Sequence, residues 1–236
     1  MSTVEQPLDE QEKSNPSPIG FINTLIHTLA RQAAKPRGLL GKIFGSAMKK
    51  MNKNVITWVV RRLDIHPNDK ILDIGFGPGE SIMQIANRLD KGFVIGVDCS
   101  DTMVQMATKK NRKAIAAGKA ELYQGQAEKL LFPNIFFDKV LCIHVIYFWK
   151  NPEIELKEIF RVLVPGGRCV FFIGDKGEME AVKMTQTGIY KLYDKNEIKT
   201  LLQNNGFSAI KFKASDIKNG PLKQGLFVTA YKPEYP

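Results

Sequence analysis

Little in this chain of 236 residues is suited to crossing a membrane or to stapling a secreted fold. Its longest apolar run, residues 140–149, is broken by His144 and falls far short of the ~20 residues that a spanning helix needs. The opening residues carry Glu5, Asp9, Glu10 and Glu12 and no apolar core, unlike a secretory leader. Cysteine is sparse: Cys99, Cys142 and Cys169 are odd in number, widely spaced and without a CxxC pair. They read as buried free thiols in a reducing cytoplasm rather than as disulfides or zinc ligands. His27, His66 and His144 share no i,i+4 spacing, so no metal site is expected. Acidic residues are missing altogether from Arg31 to Arg62, although the formal net charge of the chain is +10. That basic run is either a solvated helix face or a face for anionic lipid, nucleic acid or an acidic substrate.

What is present is enough apolar sequence, 44% of residues, to bury a substantial core. Residues 1–17, rich in Glu, Gln, Ser and Pro, have too little of it and are expected to form a disordered tail. Phe21, Ile22, Leu25, Ile26 and Leu29 then recur at helical spacing up to the Pro36 and Gly38 punctuation. A second pattern follows, with Leu40, Ile43, Phe44, Ala47, Met48, Met51, Val55, Ile56, Val59 and Val60. Residues 18–68 are therefore expected to be a helical cap over the domain formed by residues 69–236.

From Lys70 onward, β-rich runs at 71–74, 93–97, 121–124, 139–143 and 169–173 alternate with helical patterns at 81–89, 102–117 and 154–163. Such βαβ alternation requires crossovers, which predicts a doubly wound α/β fold with a mostly parallel sheet. After a helix at 196–205, runs at 209–214 and 226–231 lack a long helix between them and are expected to pair antiparallel at the sheet edge.

The densest signal is ILDIGFGPG at residues 71–79: a buried strand followed by Gly75, Gly77 and Gly79 within five positions. A strand feeding such a turn and then a helix presents bare backbone at the carboxyl edge of the sheet, where open α/β folds bind ligands. In a dinucleotide fingerprint the third glycine position would hold a small residue. Here that position is Glu80, whose carboxylate would repel a pyrophosphate. Asp98 ends the next strand, where an acid can accept both ribose hydroxyls of NAD or of any other adenosine ligand.

ILDIGFGPG, VIGVDCS, GQAEKLLFP, FDKVLCIHVIYF and RVLVPGGR, in this order, resemble the successive motifs of the class I S-adenosylmethionine-dependent methyltransferases over residues 70–236. The resemblance implies a Rossmann-like seven-stranded sheet with an antiparallel C-terminal hairpin. It implies S-adenosylmethionine as cofactor and S-adenosylhomocysteine as product. It also implies that Asp73, Gly75, Gly77 and Gly79 hold the methionine part, that Asp98 holds the ribose, and that Met103, Ala127 and Glu128 surround the adenine. Cys99 and Ile143, inside the same motifs, are expected to line the cofactor. The ligand carries an ammonium, a carboxylate and a sulfonium but no phosphate, which suits Asp73 and the lack of a Walker lysine.

Methyl transfer needs a general base only where the nucleophile must lose a proton. His144, at the end of the fourth strand, is the candidate base; the competing reading is a polar residue that lines the methionine end without moving a proton. Tyr147, Phe148 and Trp149 are pocket aromatics or core packing. Asp175, Tyr190 and Tyr193 are further substrate-pocket candidates or surface loop. The segment CIHVIYFW replaces the DPPY- or NPPY-like element of enzymes that methylate DNA bases or glutamine, so a small organic acceptor is expected. Two alternatives stay open: an NAD(P)-dependent oxidoreductase, and a catalytically silent methyltransferase-like module that binds RNA or a membrane surface through the basic helices.

Overall fold

The structure, a computed structural model, describes residues 18–215, 217, 222 and 224–234. The expected N-terminal tail lies outside the described residues. Two helices come first, α1 (Pro18–Ala34) and α2 (Gly38–Arg62), followed by β1 (Lys70–Ile74), α3 (Glu80–Ala86), β2 (Phe93–Asp98), α4 (Asp101–Ala116), β3 (Ala120–Gln124) and β4 (Phe137–Ile143). After a 3-10 turn at Ile146–Phe148 come α5 (Pro152–Val162), β5 (Leu163–Gly174), the short α6 (Lys176–Glu180), a second 3-10 turn (Lys183–Thr187), α7 (Lys195–Asn204), β6 (Ser208–Ser215) and β7 (Gly225–Tyr231).

The seven strands lie in the order β3-β2-β1-β4-β5-β7-β6. β7 runs antiparallel to both neighbours and the remaining pairs are parallel. Every expected strand is present. Central strands are buried almost end to end, as in β1 and β4, because helices cover both faces. The edge strands β3 and β6 are largely exposed, and β6 carries Lys211 and Lys213, charges that discourage pairing with a further strand.

One face of the sheet packs Leu156, Ile159, Ile198 and Leu202 of α5 and α7. The other packs Val55, Val59 and Val60 of α2 with Ile82 and Ile85 of α3. Local chemistry sets the helix ends. Ser100 accepts the Met103 N–H at the start of α4, and Asp194 and Glu197 form a reciprocal capping box on α7. Pro152 opens α5, where its missing N–H costs nothing.

The chain order reverses between β1 and β4, and the crevice beyond their carboxyl ends is where doubly wound sheets bind ligands. Helix α2 departs from the sequence expectation. Its buried face at the N-terminal end is made by Gly41 and Gly45, while Leu40, Ile43 and Met51 are exposed. Gly45 is what allows the approach to α4, since a Cβ there would lie 2.6 Å from Met103 Cε. Hydrophobic spacing finds the C-terminal half, where Val55, Ile56, Val59 and Val60 are buried, but not an N-terminal half that packs through glycine and leaves its leucines outside.

Candidate functional site

β1 ends in a turn that holds Gly75, Gly77 and Gly79 at φ of 70°, 54° and 79°, in the left-handed region that favours glycine. The three serve different ends. A Cβ on Gly75 would lie 2.1 Å from Val145 Cγ1, so this glycine lets the β1 turn meet the segment after β4. A Cβ on Gly79 would lie 2.5 Å from Asn111 Nδ2 and 2.7 Å from Ala107 Cβ, so that glycine seats α4. Only Gly77 of the three has open space where its Cβ would be. Its N–H donates to Asp98 Oδ2 at 2.9 Å, tying the turn to the end of β2.

The turn borders a cavity of about 730 Å³, within the ~300–1,000 Å³ range that holds small organic ligands. Of the expected cofactor residues, Asp73, Gly75, Gly77, Asp98, Cys99, Met103, Ala127, Glu128 and Ile143 line it together; Gly79 does not. His144, Tyr147, Trp149 and Tyr190 line it as well. Asp175 and Tyr193 do not: Asp175 caps α6 by accepting the Glu178 N–H, and Tyr193 is buried in the core beneath.

Asp73 is buried, and its Oδ2 has no hydrogen-bond partner within the protein. Burial pushes its carboxyl up to about 7; a hydrogen bond from Ser81 opposes the shift and the charge of Asp98 adds to it. A buried acceptor left open on a cavity wall is matched to a cation or N–H donor on a ligand. Asp98 is also raised by burial, though its oxygens accept N–H groups from Gly77 and from Ser100, the latter at 2.8 Å. Each of its oxygens retains a second lone pair for a further donor.

Glu80 follows the turn at the start of α3. Burial works to raise its carboxyl, but the paired Lys110 ammonium, with Gln84 and Lys49, holds it below the ordinary range. It is therefore a carboxylate at neutral pH, at the position where a dinucleotide site needs a small residue.

His144 sits at φ 56°, a strained backbone for a residue with a Cβ. Its N–H donates to the Phe172 carbonyl at 2.9 Å, and its Nδ1 lies 3.4 Å from the Tyr147 hydroxyl. The edge of the Phe172 ring faces the imidazole, and burial lowers its pKa to about 4, so it is neutral at physiological pH. The Tyr147 hydroxyl accepts the Gly174 N–H, which fixes the ring against β5.

The rest of the apolar lining is legible in the sequence only where it comes from the expected cap. Phe44 and Met48 of α2, and Met179, Val182 and Met184 from the segment around α6, line the cavity. The α6 segment has no periodicity from which to infer a pocket. Glu155 also lines the cavity, buried and with Oε2 unpartnered, its carboxyl raised by burial and by the charge of Glu128. An acid in the first turn of a helix reads in sequence as ordinary dipole compensation, which conceals it.

A family model described as a methyltransferase domain matches residues 72–171. The chain is 31% identical over 127 residues to the uncharacterized methyltransferase YdaC of Bacillus subtilis, covering 54% of this chain and 68% of that protein. It is 24% identical over 205 residues to the ubiquinone/menaquinone biosynthesis C-methyltransferase UbiE of Wigglesworthia glossinidia brevipalpis, covering 86% of this chain and 80% of that one. Among solved structures, a Haemonchus contortus phosphoethanolamine N-methyltransferase 2, in complex with phosphomonomethylethanolamine and S-adenosylhomocysteine, superposes with a TM-score of 0.67 at 18% identity. The match covers 81% of this chain and 57% of that chain.

Proposed function

The chain belongs to the class I S-adenosylmethionine-dependent methyltransferases, and on that premise we propose that it methylates a small, largely apolar organic acceptor held under its N-terminal helices. The observation that carries this reading is the mixed lining of the cavity: with the open carboxylate oxygen of Asp73 it combines the apolar side chains of Phe44, Met48, Met179 and Met184.

The polar wall fits the cofactor. Asp73 Oδ2 would accept from the ammonium of the methionine part, Gly77 would let backbone approach it, and Asp98 would take the ribose hydroxyls. Met103, Ala127 and Glu128 would flank the adenine. When bound, S-adenosylmethionine supplies an electrophilic methyl group on a sulfonium, open to in-line displacement. The protein's part is to align the acceptor and keep the site dry. A ring among Tyr147, Trp149 and Tyr190 that turned its face to the sulfonium would add about 0.5–2 kcal/mol.

His144 is a weak base. A group with a pKa of about 4 falls about six units short of a phenol, a deficit of about 8 kcal/mol for full proton transfer. Its role in this reading is to accept or donate a hydrogen bond while neutral. That favours an acceptor atom whose proton leaves only after transfer, such as a carbon of an electron-rich quinol ring, which takes the methyl group and then releases its ring proton to water, and the UbiE relative's name points the same way. Methyl transfer from labelled cofactor to a panel of quinone-like, phenolic and amine acceptors tests this. Quinone-like rings in their reduced, quinol form are expected to accept the label best, on carbon. Turnover confined to phenol oxygens, with a pH limb near the ordinary histidine value, would overturn it.

A further inference from the structure

Helices α1 and α2 carry more exposed apolar surface than packing explains. Phe21, Ile22, Leu25 and Leu29 form a stripe on α1, with Phe21 63% exposed. On α2, Leu39 is 75% exposed and Ile43 61%. Leu40, Ile43, Ala47 and Met51 continue that exposed stripe at three- and four-residue spacing. Lys42, Lys50 and Lys53 are exposed beside it, with Arg31 and Arg37 near the junction of the two helices. No acid occurs from Arg31 to Arg62 to neutralise them. Met51 is both 47% exposed and part of the cavity lining, so the stripe on α2 runs up to the cavity.

Large apolar side chains rimmed by cations fit a helix lying in a lipid interface, where aliphatic groups enter the acyl boundary and lysines meet anionic headgroups. Among the described residues no helix is long and apolar enough to cross a membrane. Nucleic acid would use the cations and aromatics but has no use for exposed leucine and isoleucine.

We propose that α1 and α2 form a docking face for an anionic lipid surface, setting the cavity against the bilayer so that an apolar acceptor can be drawn from it. Docking is read without cofactor or acceptor, so its failure is distinct from failure of the methyl-transfer reading.

The test is co-sedimentation of the full chain with vesicles of one part phosphatidylglycerol to two parts phosphatidylcholine, and with pure phosphatidylcholine. Binding is expected on the anionic vesicles only, weakening as salt rises. Each surface lysine contributes about fivefold to such partitioning, so the triple variant Lys42→Glu, Lys50→Glu, Lys53→Glu should lose at least about 100-fold. The variant Leu39→Ser, Leu40→Ser, Ile43→Ser should lose binding while retaining S-adenosylmethionine affinity, which reports an intact fold. The proposal is overturned if the anionic vesicles leave the chain in solution. It is also overturned if binding survives the serine substitutions, if light scattering shows a dimer that those substitutions dissolve without any vesicle binding, or if single-stranded RNA binds in their place and is indifferent to the serines.

Discussion

The two walls of the cavity are built on different principles. The wall at the carboxyl ends of β1 and β2 is polar and fixed: its turn is locked by Gly75 against Val145, and the Asp98 carboxylate is held by backbone N–H groups. The wall from α2 and the segment around α6 is apolar and rich in methionine, the side chain that adapts best to irregular partners. One wall is suited to a single ligand with placed charges. The other is mostly apolar, with few polar groups, Asn52 and Thr185 among them, to direct a ligand.

Substitutions that separate the walls should show this, the largest effect first. Gly77→Val fills the open side of the turn where backbone must approach the cofactor, and calorimetry should record a loss of at least about 100-fold in S-adenosylmethionine affinity with the fold retained. Gly75→Ala should instead unfold the chain more easily, by about 2–5 kcal/mol in a denaturant titration, from a forced contact with Val145 and a left-handed φ. A fully stable Gly75→Ala would show that the two glycines do not divide the work in this way.

Asp98→Ala removes the ribose acceptor and the anchor of the Gly77 N–H, and should weaken cofactor binding by about 10- to 150-fold. Unchanged affinity would contradict the placement of the ribose.

Asp73→Asn probes stability as well as binding. A carboxyl raised from 3.8 to about 7 keeps its proton in the folded chain over a range where the unfolded chain has released it. Its contribution to stability is thus full below about pH 4 and is lost as pH rises through about 7. Asparagine, which cannot ionise, should stabilise the ligand-free protein at about pH 8 by up to about 4 kcal/mol while abolishing tight cofactor binding. Equal thermal shifts at about pH 5 and about pH 8 would break the link between the open oxygen and function.

On the apolar wall, Met48→Ala should change S-adenosylmethionine affinity by less than about threefold, since it removes packing from the acceptor side and no directed contact. A larger change would mean that the walls are coupled.

These contrasts follow how legible each wall is in the sequence. The polar wall is written in short motifs: strands with continuous apolar runs, glycines at fixed offsets and acids at strand ends all appear where they are expected, because backbone geometry allows few substitutes. Resemblance to a family supplied the cofactor, since Asp98 alone serves any adenosine. The apolar wall leaves no such trace. The N-terminal half of α2 approaches α4 through Gly45, the α6 segment has no periodicity, and Asp175 and Tyr193 sit outside the lining although Met179 and Tyr190, a turn away, are part of it. The left-handed φ of His144, just past the end of β4, and its basicity, lowered by burial, are set by the tertiary surroundings rather than by local sequence.

The most direct test of the account is calorimetric titration of the unaltered protein with S-adenosylmethionine across pH. Single-site binding is expected, strengthening as pH rises from about 6 to about 8, because Asp73 must release its proton to pair with the ammonium. The absence of heat, or an affinity that falls over that range, would contradict the assignment of the Asp73 wall to the cofactor.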